Sequence, residues 1–211
     1  VISTASKALQ DQLVEKDLPA VFSLLKLTPS FMALKGFSNY LCLKKYHEEC
    51  SRFLNKTALK FDESNLEKSD GVDEGMLDEN KPSEESLNEN AITEEVLAKL
   101  ELLIQNANFQ IEKDLPNIDF VEVNSKFPSA VTRRVTCAPE WCSKKRCPYA
   151  DECFPYLARE KAIRTKVVVI NHSLFFADMF IDDPFSALSP AILLPKFRSI
   201  IFDEAHELPA I

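Results

Sequence analysis

The run Val167-Val168-Val169-Ile170 limits the fold of this chain more than any other stretch. Consecutive β-branched residues without polar alternation predict a strand buried on both faces of a parallel sheet. Ser199-Ile200-Ile201-Phe202 predicts a second strand of the same kind. Asn171-His172 ends the first strand, and Ser173 to Phe180 reads as the helix that follows. At the other end, Val1-Ile2-Ser3-Thr4 reads as the end of a buried strand, leading into a helix through Ala8, Leu9, Gln12 and Leu13. A second helix over Leu18 to Leu27 places Val21, Leu24 and Leu25 on one face, and Phe31 to Leu34 is a short strand candidate. The predicted class is α/β. A hydrophobic content of 45% over 211 residues is enough for one or two compact units.

The second strand ends in Asp203-Glu204-Ala205-His206. Ligands of open α/β sheets bind at the carboxyl ends of the strands, so this acidic pair stands where catalysis is expected. One carboxylate suits a hydrated Mg²⁺ bridging phosphates, and its neighbour suits orienting and deprotonating the attacking water. The competing reading makes Asp203 the start of a turn or the cap of a helix through Ala205 and Leu208. The apolar strand just before it favours the catalytic reading. His172 and His206, taken alone, read as histidines that satisfy turns. None of the three glycines, Gly36, Gly71 and Gly75, forms a phosphate-cradling loop, and a G-x-x-x-x-G-K-S/T pattern is absent from the sequence.

Three cysteines fall in one short stretch as Cys142-x4-Cys147-x5-Cys153, stiffened by Pro148 and Pro155. Such a loop brings sulfurs toward a common centre, with the fourth supplied by Cys42 or Cys50. Zinc sites favour paired C-x2–4-C knuckles, and the irregular spacing here fits an iron–sulfur cage better. The alternative is a set of buried structural thiols. Cys137 and Cys50 read as bystanders. Arg133, Arg134, Lys144, Lys145 and Arg146 crowd the same region, with Trp141 and Tyr149 interleaved. Cations beside stacking rings suit a single-stranded nucleic acid path, although such a run is also an ordinary solvated face.

The net charge of −8 argues against a nucleic-acid binder until it is divided. From Asp62 to Glu95 there are 13 acidic residues against two lysines, a net of −11, so the remainder carries +3. The segment at about 62–91 is poor in aromatics and is expected to be a flexible acidic spacer. On either side, Ser38 to Phe53 has helical spacing and carries Cys42, and Ile92 to Ile104 repeats through Val96, Leu100 and Leu103. The cysteine loop is expected to lead into a helix ending near Arg164. No apolar run approaches the roughly 18 residues of a membrane helix. The chain opens on Val1 without a basic leader and closes just after the acidic tetrad, so it reads as an excised piece of a cytoplasmic protein with reduced thiols.

Ser3-Thr4 with Leu9 and Gln12-Leu13 resembles helicase motif Ia, and Lys35-Gly36-Phe37-Ser38-Asn39-Tyr40-Leu41-Cys42 resembles the start of an iron–sulfur domain. With the cysteine spacing, the Val-Val-Val-Ile-Asn171-His172-Ser-Leu-Phe segment and Phe202-Asp203-Glu204-Ala205-His206, the order is similar to the XPD/DinG type of superfamily 2 DNA helicases, most of all its bacterial DinG-like YoaA branch. The resemblance implies an incomplete RecA-like motor domain made of residues 1–35 and 165–211, with a mostly helical iron–sulfur insertion at 36–164. It implies that Cys42, Cys142, Cys147 and Cys153 ligate a 4Fe–4S cluster. Asp203 would hold Mg²⁺, Glu204 would activate water, and His206 would couple nucleotide state to DNA contacts. Ser3 and Thr4 would touch the DNA backbone. The partners implied are ATP, single-stranded or forked DNA, and replication or repair proteins, with no membrane; the activity implied is ATP-dependent 5′-to-3′ unwinding. Without the phosphate loop and the second motor domain, this chain alone is expected to hydrolyse no ATP. A non-enzymatic zinc or iron–sulfur nucleic-acid-binding module is the alternative.

Overall fold

The two ends of the chain meet in one parallel sheet. The computed structural model describes residues 1–66, 92–114, 120–138, 141–143, 146–179 and 194–210. Strands β1 (Ile2–Thr4), β2 (Phe31–Ala33), β3 (Val167–Asn171) and β4 (Ile201–Phe202) lie in the order β2-β3-β1-β4. Ile2 pairs with Val169 on one side and with Ile201 on the other, and Phe31 pairs with Val167. Val168, Val169 and Ile170 are buried at 3% exposure or less, as the β-branched run predicts for an inner strand. The α/β class is therefore present as a four-stranded parallel sheet flanked by helices.

Strand β4 departs from expectation. It is two residues long and Ile201 is 62% exposed, because β4 is an edge strand with no neighbour beyond it among the described residues. Apolar composition reports the tendency to form a strand but not whether both of its faces are covered.

Helix α1 (Lys7–Gln12) starts on Ser6, whose hydroxyl accepts from the Leu9 N–H, and continues through a π-helical turn (Leu13–Asp17) into α2 (Leu18–Leu24). This path ends earlier than the apolar spacing predicts. Lys26 adopts a left-handed φ of 53°, and Leu27 N–H bonds back to the Phe22 carbonyl at 2.9 Å, a Schellman-type stop. The predicted apolar face is real but uncovered among the described residues: Leu24 is 84% exposed and Leu25 60%.

The stretch between β2 and β3 is mainly helical. It contains a 3₁₀ turn (Phe37–Asn39), α3 (Leu43–Leu66), α4 (Glu94–Glu112), α5 (Ser129–Val135) and α6 (Phe154–Arg164). After β3 comes α7 (His172–Met179), and a 3₁₀ turn (Ala205–Ala210) follows β4. Thr93 caps α4 by accepting the Val96 N–H, and Glu94 and Glu95 complement its positive end. Leu97, Leu100, Ile104 and Ala107 of α4 face the interior at helical spacing. Cys42 stands just before α3 rather than within it, because Leu41 bridges to Thr136 and holds the chain extended there. Residues 67–91, most of the acidic segment, lie outside the described residues. Among the described residues no helix is long and apolar enough to cross a membrane.

One continuous core joins the sheet to this helical stretch. Val168 and Ile170 belong to the same buried cluster as Tyr40, Leu100, Val123 and Phe154. Lys35 marks the place where the chain leaves the sheet. Its buried amino group pairs with Asp11 of α1 at 2.6 Å and with Glu122 of the helical stretch. Burial weakens the ammonium, but the hydrogen bonds to Asp11 and Glu122 outweigh it and hold its pKa above the ordinary 10.5. Lys35→Met is expected to lower the urea unfolding free energy by about 2–3 kcal/mol, toward the low end for a broken buried pair because Asp11 is partly exposed. The stabilisation is complete below pH 10.5 and drains as pH rises through the raised value. The difference between wild type and variant should therefore hold steady in neutral and mildly alkaline urea titrations and shrink only beyond that.

Candidate functional site

Three parallel strands deliver polar residues to one rim. The Asp203 N–H donates to the Ser3 carbonyl at 2.8 Å, continuing the β1–β4 pairing by one step. The Thr4 hydroxyl then reaches Asp203 Oδ2 at 3.2 Å. Ser3 Oγ lies 2.7 Å from His172 Nδ1 at the end of β3. The Asn171 side chain accepts the Leu174 N–H and so starts α7 at the same rim. The carboxyl ends of β1, β3 and β4 are thereby fixed against each other by side chains as well as by backbone.

Asp203 is half-buried and held in place, whereas Glu204 and His206 stand outside. Glu204 Oε2 lies 3.3 Å from His206 Nδ1, and His206 Nε2 lies 3.5 Å from Glu207 Oε1. Glu204 has a φ of 53°, a left-handed backbone uncommon for a residue with a Cβ. Such strain is retained where the surroundings demand it. The arrangement offers one anchored carboxylate and one free one, which matches how proteins bind Mg²⁺ through one or two carboxylates together with phosphates and water.

Ser3 and Thr4 correct the sequence expectation. Both are fully buried and spend their hydroxyls on His172 and Asp203, so neither side chain is open to a DNA backbone in this structure. Their role here is to position the strand ends. His172 is also fully buried, and its tie to Ser3 was not legible from an isolated histidine. The available signal was its place directly after the β-branched run, at the end of a strand.

The cysteines form a second centre. None of the six is in a disulfide, and all are half-buried. Burial is the main force pushing the Cys42 thiol up; negative charge at Cys147 and Cys142 adds to it, while the backbone N–H groups of Lys45 and Lys44 act against it. Cys153 is pushed up to about 11, first by burial and then by Cys142, Cys42 and Cys147, against the nearby Tyr156 N–H. The four sulfurs thus lie close enough for their charges to interact. Cys50 instead neighbours Tyr46 on α3, whereas Cys137 contacts Cys42 and is also pushed up to about 11, chiefly by burial. Sequence reasoning weighed Cys42 and Cys50 for the fourth sulfur and then set Cys50 aside; Cys42 feels the charges of Cys147 and Cys142, while Cys50 neighbours Tyr46.

Among the described residues no three His, Cys, Asp or Glu side chains are arranged to hold a metal ion, so the sulfurs share a region without closing to coordination geometry. Their chemistry nonetheless fits a thiolate-ligated group: none is in a disulfide, all are partly shielded, and Cys42 and Cys153 resist ionising unless a metal displaces the proton.

The basic residues divide. Arg134 is committed to Glu49, a residue 3% exposed that also accepts from Arg52 at 2.6 Å. It pins α5 to α3. Arg133 and Arg146 are exposed, and Lys144 and Lys145 lie outside the described residues. Tyr149 stacks on His47 with centroids 4.9 Å apart and rings 15° from parallel. Trp141 is 84% exposed.

No protein-family model matches the chain. It is 32% identical over its whole length to the ATP-dependent DNA helicase YoaA of Escherichia coli, matching 26% of that protein. It is 33% identical over 99% of its length to the ATP-dependent helicase DinG of Mycobacterium tuberculosis, matching 27% of it. The DinG helicase of Escherichia coli is 28% identical over the whole chain. The chain spans about a quarter of the length of these curated relatives. Along its whole length this chain is similar to a segment of helicases of the DinG/YoaA type.

Proposed function

We propose that the chain is the part of an ATP-dependent DNA helicase that carries the water-activating corner and an iron–sulfur centre. On this reading residues 1–35 and 165–211 belong to a RecA-like motor domain, and 36–164 form the iron–sulfur insertion. The enzyme acts in the cytoplasm on single-stranded or forked DNA during repair or replication restart, moving 5′ to 3′. The observation that carries the reading is Asp203, fixed by Thr4 at the meeting of parallel strand ends with Glu204 free beside it.

Bound Mg²⁺ would neutralise charge on the phosphoryl oxygens. The chain's own work is distinct. Thr4 holds Asp203 through Oδ2, and Asp203 would be the residue that holds the ion. Glu204 orients the attacking water and takes its proton on a carboxylate oxygen. His206, within reach of Glu204, links that carboxylate to whatever packs on the exposed rim. In the intact helicase, Glu204→Gln should cut steady-state ATP turnover by roughly 10²–10⁴-fold while leaving nucleotide binding measurable by equilibrium dialysis. The isolated chain should show no turnover with single-stranded DNA in a phosphate-release assay.

Cys42, Cys142, Cys147 and Cys153 would hold the 4Fe–4S cluster, a support for the DNA-facing surface. Anaerobically isolated protein should absorb broadly in the visible. Cys42→Ser should abolish that absorption and Cys50→Ser should retain it. A colourless protein with stoichiometric zinc would favour the non-enzymatic module instead.

Arg133 and Arg146, with Lys144 and Lys145, are the proposed phosphate contacts. Trp141 is the sole tryptophan of the chain, so its fluorescence reports this surface without interference. Single-stranded oligonucleotide should quench it, with an apparent affinity that falls as salt rises. Quenching insensitive to salt, or none at all, would remove the DNA path from this face.

A further inference from the structure

Arg159 lies on α6, the helix that begins directly after Cys153, and is 7% exposed. Its Nη1 donates to the Pro155 carbonyl at 2.7 Å, drawing the side chain back toward the start of the helix. Its guanidinium carbon stands 4.0 Å from the centre of the Phe37 ring. That ring in turn meets Tyr156 edge-on at 5.5 Å. Phe37 opens the segment that ends at Cys42. A buried cation therefore sits between the helix bearing one sulfur and the segment bearing another.

Two of its nitrogens, Nε and Nη2, are buried without any hydrogen-bond partner. A guanidinium presents five donors in a fixed fork, and leaving the three on Nε and Nη2 unmade away from water is strongly unfavourable. The stacked Phe37 ring covers one face but supplies no acceptor for in-plane N–H groups. Burial works against the charged guanidinium and lowers its pKa, while the negative forms of Tyr40, Tyr156 and Cys153 favour it. A buried, unsatisfied cation between the two segments that bear Cys42 and Cys153 is the mark of a group whose partner arrives with the ligand.

We propose that Arg159 is a positioning residue for the iron–sulfur centre, its unused N–H groups reserved for the anionic sulfur of the assembled thiolate–sulfide cluster. This rests on the cluster reading given above. In the loaded protein the guanidinium offsets the negative charge of the cluster and ties the Cys153 helix to the Phe37–Cys42 segment. In the empty protein it is a buried charge with unmet donors, and so a liability.

These two states give Arg159 opposite signs, which a purely structural arginine would not show. The test compares wild type, Arg159→Met and Arg159→Lys, each isolated anaerobically with its cluster and again after chelation under reducing conditions. Thermal melting followed by circular dichroism should show the empty Arg159→Met protein melting at or above wild type, since an apolar chain replaces an unsatisfied charge. The loaded variant should lose iron and labile sulfide several-fold faster than wild type. Its retained cluster should titrate at a more negative midpoint potential, because a nearby positive charge no longer favours the added electron. Arg159→Lys should return the potential toward wild type while restoring retention only in part. If Arg159→Met destabilises the empty and loaded proteins alike, or leaves the potential unchanged, Arg159 is structural only and the proposal fails. If wild type itself carries no iron, the cluster reading falls first and takes this role with it.

Discussion

Strand β1 lies between β3 and β4, and the rest of the molecule is organised by that placement. Its three residues hydrogen-bond to partners almost a whole chain away on both sides, so the fold closes only when the beginning and end of the sequence come together. Closure brings Thr4 to Asp203 and Ser3 to His172. The rim chemistry is a by-product of backbone pairing: no side chain has to search for its partner once the register is set. Gln10 reinforces the same arrangement from beneath, donating its amide to the carbonyls of Leu34 and Val169 and so joining β2 to β3 along its flank.

The helical stretch inserted between β2 and β3 is not an independent bead. Its apolar residues continue the buried cluster of the sheet, and Lys35 bonds to acids on both sides of the junction. The sulfurs lie within this stretch where two chain segments, before α3 and before α6, converge. Both Cys42 and Cys153 immediately precede a helix, where backbone N–H groups face outward and oppose the cost of placing negative sulfur there.

Much of this was legible in the sequence because its signals were local. The β-branched run gave an inner strand, the apolar spacing gave α4, and the acidic pair after Phe202 gave the rim. What escaped was set by neighbours. Ile201 has the composition of an inner strand but stands on the edge, and composition does not encode the next strand's absence. Leu24 and Leu25 have a proper helical face, yet nothing among the described residues covers it. Ser3 and Thr4 lie at the end of the strand expected to be buried, but their partners, His172 and Asp203, arrive from far along the chain. Arg159 gave no sequence signal, since one basic residue in a helix is ordinary until its burial is known.

The left-handed backbone at Glu204 has a geometric consequence for the acidic pair. Along an extended strand, neighbouring side chains project to opposite sides of the pleat, so two adjacent carboxylates would be parted by the thickness of the sheet. Reversing the sign of φ just past β4 breaks that alternation at the only place where it matters. Asp203 keeps the direction dictated by the ladder, with its carboxylate on Thr4, while Glu204 is turned out of it toward His206.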